Sequence, residues 1–188
     1  RLGNGNINTV TVNSSIFNDN TGDGVDLGAQ FALLQDEYVF TDNVMSGNTQ
    51  NGVRITAQAD ATITLQFDDN ELTGNGDNGM LISTVLVSPG DAAEVFSTTP
   101  WLRNDFSGNG TITSALGAGL EISGIHTITI GAAGNGNSFN NNAGDGIEIN
   151  APGTLNVIEA TVTGNNTAGT ANGLAGIDLQ SNGGNTLN

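Results

Sequence analysis

Two short motifs recur six times in a fixed order along the chain, and this repetition constrains the fold more than any other feature. The first motif is an apolar residue, two further residues and then asparagine. It occurs at Phe17/Asn20, Met45/Asn48, Leu72/Asn75, Phe106/Asn109, Phe139/Asn142 and Val162/Asn165. The second motif is Gly-apolar-any-apolar, and it begins at Gly24, Gly52, Gly79, Gly119, Gly146 and Gly176. Repeats at a regular offset are typical of solenoids and propellers.

The spacing of the second motif gives the length of one repeat. Gly52 lies 28 residues after Gly24, and Gly79 lies 27 residues after Gly52. Two longer steps, of 40 and 30 residues, contain insertions. We place the insertions at residues 83–99, 109–119 and 165–176. Such insertions are expected to leave a solenoid as loops.

A third apolar segment completes each repeat. These segments alternate with a period of two and are rich in Thr, Val and Ile, which is the pattern of a β-strand. They lie at residues 10–12, 38–40, 63–67, 94–96, 128–130 and 155–157. The nearest candidate for a helix, residues 29–36, is short and carries no convincing caps.

Three short strands per repeat, separated by Gly and Asn turns, predict an all-β right-handed single-stranded parallel β-helix. It would have about six rungs of 27–28 residues, with loop insertions. A left-handed β-helix would show hexapeptide repeats, and a doubly wound fold would need helices between its strands. An antiparallel barrel would not explain identical motifs at a near-constant offset.

Stacking the rungs turns each repeated position into a column. The two apolar positions of the Gly motif predict the inward columns Val25, Val53, Met80, Leu120, Ile147, Ile177 and Leu27, Ile55, Ile82, Ile122, Ile149, Leu179. The apolar residues of the first motif predict a third inward column. Its asparagines predict a structural ladder at a turn, formed by Asn20, Asn48, Asn75, Asn109, Asn142 and Asn165.

The two motifs resemble the parallel β-helix repeats of the pectate-lyase-like superfamily. Phe17/Asn20, Phe106/Asn109 and Phe139/Asn142 also resemble the FxxN motifs of polymorphic outer-membrane autotransporter adhesins. The resemblance covers nearly the whole chain. It implies a right-handed β-helix, but the fold hosts lyases, hydrolases, epimerases, adhesins and phage tailspikes, so it does not select one activity.

Charge excludes some classes of partner. The formal net charge is −16, lysine does not occur, and the arginines are Arg1, Arg54 and Arg103. Binding to nucleic acid or to an anionic membrane surface needs clustered basic side chains, so neither is expected. No apolar run approaches the roughly 20 residues of a membrane span. Cysteine is absent, and no disulfide framework is expected.

The middle residue of the Gly motif predicts an outward column of Asp26, Arg54, Leu81, Glu121, Glu148 and Asp178. The last three are acids on successive rungs, where like charges repel. Ca²⁺, which binds carboxylate oxygens, would relieve that repulsion. Glu121, Glu148 and Asp178 are therefore candidate calcium ligands, with a solvated acidic surface as the alternative.

The same three acids are candidate catalytic residues. Retaining glycosidases hold two carboxyl groups about 5–5.5 Å apart, close to one rung spacing, and Glu121 with Glu148 fits that geometry. A lyase is less favoured because Arg54 and Arg103 lie alone in a chain without lysine. His126 precedes a strand, which is more typical of a surface or capping residue than of a catalyst.

We therefore expect an extracellular or cell-surface scaffold, structural or adhesive, of bacterial origin. A segment of a carbohydrate-active enzyme is the first alternative, and a self-assembling surface-layer or filament subunit is the second. Residues 1–188 would form one parallel β-helix segment, either part of a longer chain or a unit that stacks end to end, because no capping element closes the repeats. Polysaccharide or another surface protein is the expected partner.

Overall fold

The computed structural model describes residues 8–29, 35–58, 61–85, 93–110, 117–151, 153–165, 176–179 and 185–187. In that part of the chain the protein is an all-β parallel solenoid of about five turns, without helix. The predicted fold class is thus confirmed.

Fifteen strands, β1 to β15, make up the described solenoid. In chain order they are β1 (Asn8–Asn13), β2 (Val25–Ala29), β3 (Gln35–Thr41), β4 (Val53–Gln58), β5 (Thr62–Asp68), β6 (Met80–Val85), β7 (Glu94–Ser97), β8 (Leu120–Ser123), β9 (His126–Ile130), β10 (Asn137–Ser138), β11 (Ile147–Ile149), β12 (Gly153–Val157), β13 (Ala160–Thr161), β14 (Ile177–Leu179) and β15 (Asn185–Leu187).

Each turn of the solenoid contributes to three faces. The third apolar segments form a seven-stranded sheet in the order β1-β3-β5-β7-β9-β12-β15. The Gly motifs form a six-stranded sheet in the order β2-β4-β6-β8-β11-β14. The third face is narrow, and single bridges such as Val44 to Glu71 and Glu71 to Asp105 join its rungs, together with the β10–β13 pair. All strand pairs are parallel. Those of the six-stranded sheet are in the predicted register, as when Val53 pairs with Met80.

The interior is filled by the predicted apolar columns. Phe106 and Phe139 are fully buried, and their rings stack at 4.9 Å between centroids with an angle of 3° between planes. Phe67 packs on Phe106 and on Trp101, which continues the aromatic stack toward the seven-stranded sheet. Burying one large side chain of this kind is worth roughly 1.5–3 kcal/mol, so these columns are the main source of stability.

One predicted inward residue differs from its column. Leu179 is in register with the buried Ile149, but 38% of its surface is exposed. It lies on β14, at the edge of the six-stranded sheet, and no described strand covers it. The segment considered as a helix, residues 29–36, includes the end of β2 and the start of β3, and residues 30–34 lie outside the described residues.

The predicted asparagine ladder is confirmed. Along it, the backbone N–H and the side-chain Nδ2 of each asparagine donate to Oδ1 of the asparagine on the next rung, at 2.8 to 3.2 Å. The second hydrogen of Nδ2 is used as well: Asn75 donates it to the carbonyl of Met45 on the preceding rung, at 3.0 Å. Asn48, Asn75, Asn109 and Asn142 are buried, and buried amides are stable only when they are hydrogen-bonded.

A second asparagine ladder, which the sequence reasoning missed, runs parallel to the first. It consists of Asn43, Asn70, Asn104 and Asn137, each five residues before a member of the first ladder. The geometry is the same: backbone N–H and Nδ2 donate to the next Oδ1 at 2.9 to 3.1 Å. The narrow third face therefore lies between two hydrogen-bonded columns.

A left-handed backbone residue directly precedes the asparagine at both corners of the narrow face. Asp19 and Gly74 occupy this position at the first ladder, with φ of 57° and 65°. Asp42, Asp69 and Arg103 occupy it at the second ladder, with φ of 55° to 58°. Asp, Asn and Gly adopt this conformation most readily, which accounts for the Asp- and Gly-rich turns of the sequence.

Candidate functional site

The structure brings the predicted acidic residues together on the outward face of the six-stranded sheet. Glu121 of β8 pairs in register with Glu148 of β11, and Glu148 pairs with Asp178 of β14. All three are partly exposed. Neighbouring strands lie about 4.8 Å apart, so consecutive carboxylates are within strong electrostatic reach of one another.

Glu121 is partly buried, and its surroundings disfavour the charged carboxylate. Burial and, second, the charge of Glu148 raise its pKa, while hydrogen bonds from Asn78 and Asn150 oppose the rise. The Asn78 contact is direct, from Nδ2 to Oε2 at 2.9 Å. Glu148 instead accepts a hydrogen bond from Nδ2 of Asn150 at 2.8 Å. The two glutamates are thus neighbours, and Asn78 bonds to Glu121 while Asn150 bonds to Glu148.

The other end of the same column carries an ion pair. Arg54 donates to both carboxylate oxygens of Asp26, from Nε at 3.1 Å and from an Nη at 2.6 Å. Its Nε also lies 2.9 Å from an oxygen of Asp23, whose side chain is almost fully buried. Arg54 is therefore held by two carboxylates, three rungs away from Glu148.

A buried polar column links these two ends. Asn51 donates its N–H and Nδ2 to Asp23, Asn78 donates its N–H to Asn51, and Ala118 donates its N–H to Asn78. Here the later rung donates to the earlier one, opposite to the asparagine ladders. The asparagine run stops at Ala118, which has no side-chain amide to continue it.

The calcium prediction stays a prediction. Among the described residues, no group of three or more His, Asp or Glu side chains is arranged to hold a metal ion. Glu121, Glu148 and Asp178 share one column, but two of them already accept hydrogen bonds from asparagine amides.

The sequence suggested a surface or capping position for His126, and the structure shows that it is not at the surface. It begins β9 and is 2% exposed, with Nδ1 2.9 Å from the carbonyl oxygen of Gly124. Its strand neighbour on the following rung is Gly153, which leaves room for the ring. Burial is the larger influence on the imidazole and lowers its pKa.

The remaining groups named from the sequence are also engaged. Arg103 binds Asp69 through two contacts of 2.6 Å, which lowers the pKa of that carboxyl, and donates to Asn135 at 2.8 Å. Trp101 is fully buried and Tyr38 is 4% exposed, as expected of their strand positions. Neither ring is available as a surface platform for a sugar.

A second pair of acids was missed by the sequence reasoning. Glu71 and Asp105 face each other across neighbouring rungs of the narrow face, joined by a parallel bridge. Thr73 donates to Glu71 at 3.0 Å. Among the described side chains, Oδ1 of Asp105 is the buried polar atom that lacks a hydrogen-bond partner. The sequence could have indicated this pair, because both residues directly precede an apolar residue of the first motif and so occupy the same position in neighbouring repeats.

The comparisons with known proteins add no relative: no protein-family model, no curated protein and no solved structure matches the chain. Among the described residues, no helix is long and apolar enough to cross a membrane.

Proposed function

We propose that the chain is an extracellular or cell-surface scaffold, a structural or adhesive β-solenoid, rather than an enzyme. One observation carries the proposal: the recurring polar side chains bind neighbouring rungs instead of converging on a cleft. The two asparagine ladders together contribute eight buried or half-buried links between rungs. In such a fold the side-chain amides join one rung to the next. The resulting surface is long, regular and stiff, which suits a protein that attaches to a partner.

The state of the basic side chains supports the same role. Arg54 is bound by Asp23 and Asp26, Arg103 is bound by Asp69, and His126 is buried. A lyase must neutralise an acidic sugar and remove a proton, and each of these groups is already occupied. The FxxN-like motifs, which resemble those of autotransporter adhesins, favour an adhesive role at a bacterial surface, with polysaccharide or another surface protein as the partner.

The test uses a panel of acidic and neutral polysaccharides. The purified chain is assayed for retention on each immobilised polymer, for new reducing ends and for the absorbance of unsaturated uronates. We expect retention without turnover. Turnover that disappears in Glu148→Gln, with the β-sheet spectrum intact, would overturn the scaffold proposal.

A carbohydrate-active enzyme is the second candidate, favoured by the pairing of Glu121 with Glu148 on neighbouring rungs and by the raised pKa of Glu121. The glutamate with the raised pKa, Glu121, would be the acid, and Glu148 would be the nucleophile. In that case both Glu121→Gln and Glu148→Gln would abolish turnover. Glu71→Gln, which alters the acid pair on a different face, is the matched control and would leave turnover unchanged.

A further inference from the structure

His126 occupies an inward position of the seven-stranded sheet, in a column that also contains Asp36, Ile63, Val95 and Gly153. In the seven-stranded sheet it pairs with Val95 on the preceding rung and with Gly153 on the following rung. It is the one histidine of the chain and is 2% exposed. An imidazole that can gain a proton near neutral pH is thus enclosed in the apolar interior.

The imidazole and Gly153 fill one space between two rungs. A Cβ built on Gly153 would meet the backbone oxygen of His126 first, and it would lie 2.5 Å from Nδ1 and 2.6 Å from Cε1 of the same residue, well inside van der Waals contact. The glycine is therefore required by the backbone and the ring of His126 together, and the ring closes the gap that the glycine leaves. Packing between β9 and β12 depends on this fit, because a void of that size would forfeit contacts on both rungs.

The hydrogen bond of His126 selects one form of the ring. Nδ1 lies 2.9 Å from the carbonyl oxygen of Gly124, and a carbonyl can only accept. Nδ1 therefore carries the hydrogen, and the neutral ring has its free lone pair on Nε2. A further proton would add to Nε2 and place a full charge in the interior.

No acidic side chain on the described neighbouring strands faces the imidazole, so none would form an ion pair with the protonated ring. On the neighbouring strands of the same sheet, β7 carries Glu94 and β12 carries none. Glu121 of β8 and Glu148 of β11 point to the outward face of the other sheet. Burial and the Gly124 hydrogen bond are the influences felt by the ring.

We propose that His126 is an acid-sensitive latch: the neutral ring, seated over Gly153, holds β9 and β12 together, and protonation at Nε2 releases that contact. The latch would loosen the solenoid at these two rungs while the asparagine ladders hold the corners. A surface protein built this way would change its local stiffness on entering an acidic environment.

The sign of the effect follows from linkage. Burial lowers the pKa of His126 below the 6.5 of a free imidazole, so the opened state binds the proton more readily than the closed state. The closed contact is at full strength above pH 6.5 and weakens as the pH falls through that value. Because an opened imidazole has a pKa of about 6.5, the opening equilibrium can rise by at most about tenfold between pH 7.5 and pH 5.5.

The first measurement is an NMR titration of the imidazole, which is unambiguous because the chain has one histidine. We expect a midpoint below 6.5. The second is hydrogen exchange of β9 and β12 at pH 7.5 and 5.5, corrected for the intrinsic rate at each pH, with β5 as the internal reference. We expect protection in β9 and β12 to fall, by at most about tenfold, and protection in β5 to stay constant.

Variants separate the latch from general acid sensitivity. His126→Gln keeps a polar side chain that does not titrate, and His126→Phe keeps a ring; in either one that folds, the pH dependence of exchange in β9 and β12 should vanish. A midpoint at or above 6.5, constant protection in the wild type, or an equal loss of protection in the variants would each overturn the latch.

Discussion

A methyl group on the Cα of Gly79 would lie 2.8 Å from Nδ2 of Asn109. The same methyl group would lie 2.6 Å from the carbonyl oxygen of Gly119 and 3.1 Å from that of Leu72. Nδ2 of Asn109 donates to that Leu72 carbonyl at 2.9 Å. The φ of Gly79 is not in the left-handed region, and glycine is needed there because the carbonyl of the next rung and the ladder amide both pack against its Cα.

Gly79→Ala should therefore lower the free energy of unfolding by about 1–3 kcal/mol, since the extra carbon must displace the backbone or the ladder. Urea unfolding followed by circular dichroism measures the change. Gly28→Ala is the matched control, because a Cβ there has no atom within 4 Å and the backbone is an ordinary strand. Equal losses in the two variants would show that the glycine column is not packed against the asparagines.

Asn75→Ala should destabilise the protein more than Asn78→Ala. The first change removes the acceptor of two hydrogen bonds from Asn48 and the donors to Asn109 and Met45, all buried. We expect a cost of about 2–4 kcal/mol. Asn78 makes fewer links, to Ala118, Asn51 and the partly exposed Glu121. Urea unfolding of both variants tests the order, and a reversed order would contradict the ladder as the stronger column.

Asn104→Ala should cost about as much as Asn109→Ala, because the second ladder has the same bonds as the first. Asn104 donates twice to Asn137 and once to the carbonyl of Phe67, at 2.7 to 2.9 Å. The melting temperatures of the two variants are compared with that of Asn13→Ala, a control at an exposed asparagine. If Asn104→Ala melted like Asn13→Ala, the second ladder would contribute nothing to stability.

Phe106→Ala and Phe139→Ala should each destabilise the protein by about 3–5 kcal/mol, because each opens a cavity beside the other ring. Both rings are fully buried and stack on each other at 4.9 Å. Because they share one contact, the double variant should cost less than the sum of the two single variants. Urea unfolding of the three variants completes the cycle, and additive costs would mean that the rings act separately.

Glu121→Gln should raise the melting temperature at pH 7 and leave it nearly unchanged at pH 4. Burial and the charge of Glu148 raise the pKa of Glu121, so the folded state favours the protonated form. The stability that this group contributes is present below its unfolded pKa of 4.5 and is lost as the pH rises through the folded value. Glutamine keeps an acceptor for Asn78 without the charge. A lower melting temperature at pH 7 would contradict this account.

The columns could be predicted from the sequence because the offset between repeats places like residues in register. Phe106 and Phe139 stack, and Glu121 faces Glu148, for that reason alone. The second ladder was equally regular from Asn43 to Asn137 but was missed. Its column begins with Ser15, which contributes a backbone N–H to the Oδ1 of Asn43, and so it looked like an ordinary turn.

Environment was harder to predict than register. The burial of His126 depends on Gly153, which lies in a different repeat and differs from the residues that precede it in its column. The raised pKa of Glu121 depends on burial and is opposed by Asn78, a residue of another column. The burial of His126 and the pKa of Glu121 depend on contacts between different columns. Aligning the repeats shows which residues share a column, but it does not show these contacts.

The bonds of the first ladder join asparagines that are 28, 27, 34, 33 and 23 residues apart in the chain. The geometry of each bond is nevertheless the same, so the hydrogen bonding of the ladder does not depend on the number of residues between two rungs. During evolution a rung could therefore acquire, lose or exchange a loop without disturbing its neighbours. New binding properties could accumulate in the loops while the asparagines kept the rungs in order.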